Sequence, residues 1–157
     1  MSWPAVELDP LRRLRVLGAA IPGAAVAEAI LDAPFDDVWA AATDFEGRVP
    51  QIEIFIGSAE VMSREGDRLQ VRITPRLLRR PQLLHVVLRR GWCWMVAPMG
   101  AAGMAAVPEG ERTRFAHLEA LTLPGGRFAG PFLQAKMALA RELGRIERLA
   151  LERRGGP

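Results

Sequence analysis

A chain of 157 residues, half of them hydrophobic and a quarter charged, has the size and composition of one soluble globular domain with a sizeable core, which sets aside disordered and membrane-spanning classes. The pI of 10.3 overstates its basicity, because the formal net charge is only +3. Lys136 is the only lysine and there is no tyrosine, so few groups titrate between neutrality and the very high pKa of arginine.

No apolar run is long enough to span a bilayer, and the N-terminus lacks the apolar core of a signal peptide, so the default expectation is a cytoplasmic protein without a transmembrane segment. The single cysteine, Cys93, excludes an internal disulfide and a multi-cysteine metal site.

In chain order, residues 1–23 read as an N-terminal arm, and 24–157 as a single domain. Asp9-Pro10 precedes Leu11, Leu14 and Leu17 at a spacing that suits a short amphipathic helix, closed by Gly18, Pro22 and Gly23. The arm is expected to pack on the domain with its arginines solvated; an anionic membrane surface is the lesser alternative. Ala24 to Leu31 predicts a first strand. Pro34, with Asp36 and Asp37 behind it, starts a helix carrying Phe35, Val38, Trp39, Ala42 and Phe45 on one face, ended by Glu46-Gly47.

From Gln51 the pattern becomes that of strands. Ile54 to Arg64 and Arg68 to Pro75 flank a hairpin loop at Glu65-Gly66-Asp67, and Leu69, Val71 and Ile73 alternate with Arg68, Gln70 and Arg72. Gln82 to Arg90 and Gly91 to Pro98 follow, the second dense in Trp92, Cys93, Trp94 and Met95. Ala101 to Val107 and Thr113 to Leu123 pair across Pro108-Glu109-Gly110-Glu111.

Pro131 to Arg154 predicts one long terminal helix with two apolar rows. The first is Phe132, Leu139, Leu143, Ile146 and Ala150, and the second Leu133, Met137, Ala140 and Gly144. Arg141, Glu142, Arg145, Arg148 and Glu152 are expected to face water. A helix with so wide a greasy face needs a partner, and the strands are the available one.

Ala33-Pro34-Phe35-Asp36-Asp37-Val38-Trp39, continuing to Asp44-Phe45-Glu46 and Pro50, resembles the N-terminal signature of the START-like helix-grip (SRPBCC) superfamily, in particular its polyketide cyclase/dehydrase group. Arg112 to Glu119 resembles that group's last-strand pattern. The resemblance covers roughly residues 24–154 and implies an α+β fold: a curved antiparallel sheet of about six to seven strands wrapped around the C-terminal helix, with one or two short helices after the first strand. It also implies a cavity between sheet and helix for an apolar small molecule. The shrinking side chains at Ala140 and Gly144, with Met137 a turn earlier, agree with either a void or tight helix-to-sheet packing, because glycine inside a helix needs a local reason.

Candidate residues follow from these elements. His117 and Glu119 share a strand face with Phe115 and, if that face points inward, form an acid/base pair among apolar neighbours; if outward, a solvated pair. Arg114 alternates with them, so only one set is internal. His85, amid Leu83, Leu84, Val86 and Val87, reads as a core histidine with a ligand role as the alternative. Trp92 and Trp94 are core or cavity wall, and Trp39, Val71, Ile73, Phe115, Met137, Ala140 and Gly144 complete the expected lining. With only two histidines and one cysteine, a metal site would need acidic recruits at no recognisable spacing, so neither metal nor cofactor is predicted.

Three functions remain. The leading one is binding of a hydrophobic polyketide, lipid or isoprenoid-like molecule. The second is a polyketide aromatase/cyclase or dehydratase using His117 and Glu119, with Trp92 and Trp94 as walls. Some resembling cyclases steer an enolate with tyrosine and arginine; here only Arg72, Arg90 or Arg114 is available to substitute. The third is an interaction module built on Arg76, Arg79 and Arg80, ranked last, with nucleic acid disfavoured, because no aromatics interleave with those arginines. Oligomeric state has no signature in the chain.

Overall fold

The structure is a computed structural model that describes residues 8–77, 79–98, 100–121 and 132–155, the side chains of 121 and 132–137 excepted. Its elements run α1 (Pro10–Ala20), β1 (Ala25–Leu31), α2 (Phe35–Thr43), α3 (Val49–Ile52), β2 (Ile56–Glu65), β3 (Arg68–Pro75), β4 (Gln82–Arg89), β5 (Trp92–Ala97), β6 (Gly100–Glu109), β7 (Arg112–Leu121) and α4 (Phe132–Gly155). The seven strands form one antiparallel sheet in the order β1-β7-β6-β5-β4-β3-β2. It is the helix-grip α+β arrangement, with β7 returning beside β1 and α4 packed on the inner face. The segment between β7 and α4, with the end of the last predicted strand and Pro131 of the predicted helix, lies outside the described residues.

Period-2 alternation sorts the side chains of each strand between two faces. On β7, Thr113, Phe115, His117 and Glu119 point inward, while Ala116, Leu118 and Ala120 point outward and are nonetheless buried. The outer face is covered by α1. Asp9 caps that helix by accepting a hydrogen bond from the Arg12 backbone N–H at 3.0 Å, and Pro10 supplies a preset first turn. Leu11 and Leu14 then pack against Trp92, Ala105, Ala116 and Leu118 as a second core, with the Arg13 guanidinium over the Trp92 ring at 4.4 Å. Close approach is possible because Gly103 has no side chain: a Cβ there would meet Leu14 Cδ1 at 2.7 Å and the Trp94 ring at 2.8 Å.

The main core lies on the inner face, between the sheet, α2 and α4. Phe35 stacks on Trp39 at 6.2 Å, Trp39 tilts against Phe115 at 6.4 Å, and Leu143, Ile146, Leu149 and Ala150 come down from α4. The β4–β5 turn brings its backbone to within reach of β6, so Gly91, at φ +73°, sits where a Cβ would lie 2.6 Å from the Ala106 carbonyl.

The exposed edges of α4 correct one expectation. Ala140 and Gly144 face solvent, and a Cβ at Gly144 would meet nothing within 4 Å. At about 100° per residue the buried stripe is Leu139, Glu142, Leu143, Ile146, Leu149 and Ala150. The row through Ala140 and Gly144 diverges on the opposite side, so Glu142, expected in water, is buried. Met137 belongs to α4, but its side chain lies outside the described residues.

Candidate functional site: an apolar cavity ending in a buried Glu-His cluster

Between the inner face of the sheet, α3 and α4 lies a cavity of about 330 Å³. Its walls are apolar. Val71, Ile73, Leu84, Met95 and Met104 come from the strands, Phe45 and Ile52 from the helical side, and Ile146 from α4. Phe55 and Leu77 stand at the rim, 61% and 91% exposed, as an apolar lip. Among the described residues, the ionisable groups on the wall are Glu53 and Glu119.

Three elements converge behind those two carboxylates. Glu53 follows α3 directly, and its place is set by two arginines gripping the surrounding backbone. Arg145 of α4 donates to the Ile52 carbonyl at 2.8 Å, and Arg76 donates to the carbonyls of Pro50 at 3.0 Å and Ile54 at 3.1 Å. His117 and Glu119 enter from β7, held in register against Ala27 and Ala25 of β1 and against Met104 and Ala102 of β6. Glu142 enters from α4. His117 Nδ1 lies 3.2 Å from Glu142 Oε2, and His117 Nε2 lies 3.7 Å from Glu53 Oε1. The first distance is short, but the groups are not aligned as a hydrogen bond: His117 Nδ1, His117 Nε2 and Glu142 Oε2 are buried without a hydrogen-bond partner.

Charge in such a place is governed by burial and by the neighbours. Burial raises the Glu53 carboxyl to about 8 against the opposing pull of His117, with Glu142 and Glu119 adding to the rise. Burial would lower the His117 imidazole, but Glu142, Glu53 and Glu119 together outweigh it and lift His117 to about 9. Glu119 is raised as well, by burial first. Glu53, His117 and Glu119 therefore all hold their protons more tightly than they would in water.

The predicted site residues divide. Val71, Ile73 and Glu119 line the cavity, and His117 stands in contact with its inner end. Trp39 and Phe115 belong to the neighbouring core rather than the cavity wall. Trp92 and Trp94 are on the other face of the sheet, stacked on each other at 6.3 Å beneath α1; the wall belongs to their alternates Met95 and Ala97. His85 is exposed on that outer side, because the inward positions of β4 are Leu84 and Val86. Ala140 and Gly144 are on the solvent side of α4. The arginines considered as substitutes for tyrosine are paired away from the cavity: Arg72 with Glu60, Arg90 with Asp36, and Arg114 with Glu109 and Glu28. Arg76 is occupied by backbone carbonyls, which removes it from the arginine-rich interaction surface. Cys93 is fully buried, and burial pushes its thiol up to about 12, away from nucleophilic use.

Glu53 is not singled out by the sequence, and Glu142 is expected from it in water rather than in a site. For Glu142 a signal existed: it sits three residues after Leu139 and four before Ile146, on the apolar stripe. Glu53 follows a one-turn helix with no periodicity to mark it.

Comparison with solved structures settles the architecture. TTHA0849 of Thermus thermophilus superposes with a TM-score of 0.63 at 24% identity, over 82% of this chain and 97% of that one. This is the START-like helix-grip fold. The Zhui aromatase/cyclase of Streptomyces sp. R1128 has the same helix grip, with a TM-score of 0.61 at 18% identity over 83% of this chain and 94% of that one. A START superfamily protein of Mycobacterium smegmatis matches with a TM-score of 0.54 at 16% identity over 83% and 95% of the two chains. No family model and no curated protein matches the sequence. The helix grip is thus shared at the level of backbone, with side chains that have diverged widely. Among the described residues, no helix is long and apolar enough to cross a membrane.

Proposed function

We propose that this protein binds a hydrophobic small molecule of polyketide, lipid or isoprenoid type in the cavity between the sheet and α4. The observation that carries this reading is the cavity itself: about 330 Å³, walled by Val71, Ile73, Leu84, Met95, Met104 and Ile146. That volume is at the lower end of the roughly 300–1,000 Å³ typical of small-molecule sites, and a mostly apolar wall with a few polar groups at one end is their usual composition. Phe55 and Leu77 at the rim would give an apolar ligand a surface to meet on entry. The fold shared with START-type proteins and an aromatase/cyclase is compatible with the same use.

The test is native mass spectrometry of the purified protein together with titration of an environment-sensitive apolar dye. Uptake of the dye, or a retained apolar molecule, is expected for the wild type. Ala102→Phe, which fills the cavity from β6, should abolish it while thermal unfolding stays close to wild type. A clean protein mass together with equal dye binding by wild type and Ala102→Phe would refute the reading.

A second reading is favoured by the place of Glu53 and Glu119, where an enclosed ligand would touch them. There the molecule would be turned over, as in cyclisation or dehydration of a polyketide-like substrate, with His117 beside Glu119. Binding without product from candidate polyketide-like substrates would leave the first reading alone standing.

A further inference from the structure

Glu53, His117, Glu119 and Glu142 each bring one donor atom into a group whose members all lie within 4.8 Å of one another. Atoms bound to a single ion at about 2.0–2.2 Å sit roughly 3.0–4.2 Å apart around it, so this group needs only slight contraction to form a coordination sphere. A second observation is independent of that convergence. Both ring nitrogens of His117, and Oε2 of Glu142, are buried with no hydrogen-bond partner, and each of the two side chains is 1% exposed. Buried polar atoms are nearly always paired, yet His117 Nδ1 faces Glu142 Oε2 at 3.2 Å and Nε2 faces Glu53 Oε1 at 3.7 Å, so one ring nitrogen is available to an ion held between the ring and these carboxylates. Among the described residues, no lysine or arginine forms an ion pair with any of the four, so the three carboxyl groups have no protein cation beside them other than His117.

We propose that Glu53, His117, Glu119 and Glu142 bind one divalent first-row transition ion at the inner end of the cavity. One imidazole with three carboxylates suits ions of the Zn²⁺, Mn²⁺ and Fe²⁺ type; Mg²⁺ and Ca²⁺ favour oxygen donors throughout. The donors arrive from the residue that follows α3, from β7 and from α4, so the ion would also tie the helical side to the sheet. Glu53 and Glu119 border the cavity as well as the cluster. The free positions of the ion would therefore open toward whatever the cavity holds, as in a catalytic rather than a closed structural site. A carbonyl or hydroxyl oxygen on that molecule would have a Lewis acid to meet. The site depends on these four side chains alone and stands whether or not the cavity binds an apolar ligand.

The test uses the full chain, stripped with EDTA and freed of chelator, then titrated calorimetrically with Zn²⁺, Mn²⁺ or Mg²⁺. One Zn²⁺ or Mn²⁺ per chain is expected, with a raised thermal midpoint and no comparable effect of Mg²⁺. His117→Gln and Glu142→Gln should weaken binding by about 100-fold or more, since loss of even an outer-sphere partner typically weakens a metal about 10- to 100-fold. X-ray absorption of the Zn²⁺-loaded wild type should show one imidazole in the coordination sphere, which decides the matter even if a variant fails to fold. The proposal is overturned by absence of one-to-one binding, by Zn²⁺ without an imidazole ligand, by equal binding of Mg²⁺, or by undiminished affinity in both variants. Dye uptake by the cavity is unaffected by any of these results, so the two proposals fail separately.

Discussion

His117 Nδ1 and Glu142 Oε2 stand 3.2 Å apart with each side chain 1% exposed, and no hydrogen bond joins them. This contact couples β7 to α4 through charge, and the coupling has a sign. In metal-free protein the folded-state values of His117, about 9, and Glu53, about 8, both lie above their ordinary values of 6.5 and 4.5. The folded chain therefore binds these protons more tightly than the unfolded chain does. The stabilisation from Glu53 is complete below about pH 4.5 and lost as pH rises through 8; that from His117 is complete below about 6.5 and lost through 9. Urea unfolding in the presence of EDTA should thus show stability declining from pH 5 toward 9, with a flatter profile for Glu53→Gln. Stability that rises across this interval would contradict the assignment.

Cys93 should be silent in the folded protein. Its thiol is fully buried and held near 12, so a disulfide reagent at pH 8 should leave it unmodified until denaturant is added, when one thiol per chain should react. Fast stoichiometric reaction in native buffer would place Cys93 elsewhere.

Gly144 offers a gain rather than a loss. It sits in mid-helix with open space where a Cβ would be, so Gly144→Ala should stabilise the fold by about 0.5–1 kcal/mol without altering ligand uptake. Even Gly144→Leu should leave dye binding intact, whereas Ile146→Phe, on the cavity wall, should reduce it. Chemical denaturation and dye titration of the three variants distinguish these outcomes.

The outer core can be opened in two ways. Leu14→Ala removes a fully buried side chain and should lower stability by about 2–5 kcal/mol. Gly103→Ala forces a methyl group against Leu14 Cδ1 and the Trp94 ring, so those side chains must shift. Both should change the emission of Trp92 and Trp94, and neither should change dye uptake on the other face of the sheet.

The succession of strands along the chain and the terminal helix were legible because they rest on local signals: Leu69, Val71 and Ile73 alternate, Gly66 and Gly110 mark turns, and the Pro34-Asp36-Asp37 run opens α2. Alternation narrows the inward set on β7 to a choice of two, and the packing of Phe115 in the core shared with α2 and α4, with His117 at 3.2 Å from Glu142 of α4, decides it. What escaped was contact between distant segments. Trp92 and Trp94 read as cavity wall because their strand is apolar on both faces, and nothing local says that α1 covers one of them. The charge of Glu142 argues for a solvated position, although its helical phase places it between Leu139 and Ile146. Glu53 was invisible because its position is fixed by Arg76 and Arg145, residues far from it in sequence.

The cover that α1 gives to the outer face implies a gradient of stiffness along the cavity. β7 is packed on both sides and hydrogen-bonded on both edges, so its amides should be among the slowest in the molecule to exchange with solvent. The other end of the cavity is a lip formed by the exposed side chains of Phe55 and Leu77, outside the regular strands. Entry and release are expected at that exposed lip, while His117 and Glu119 sit on the strand that is packed on both faces and paired on both edges.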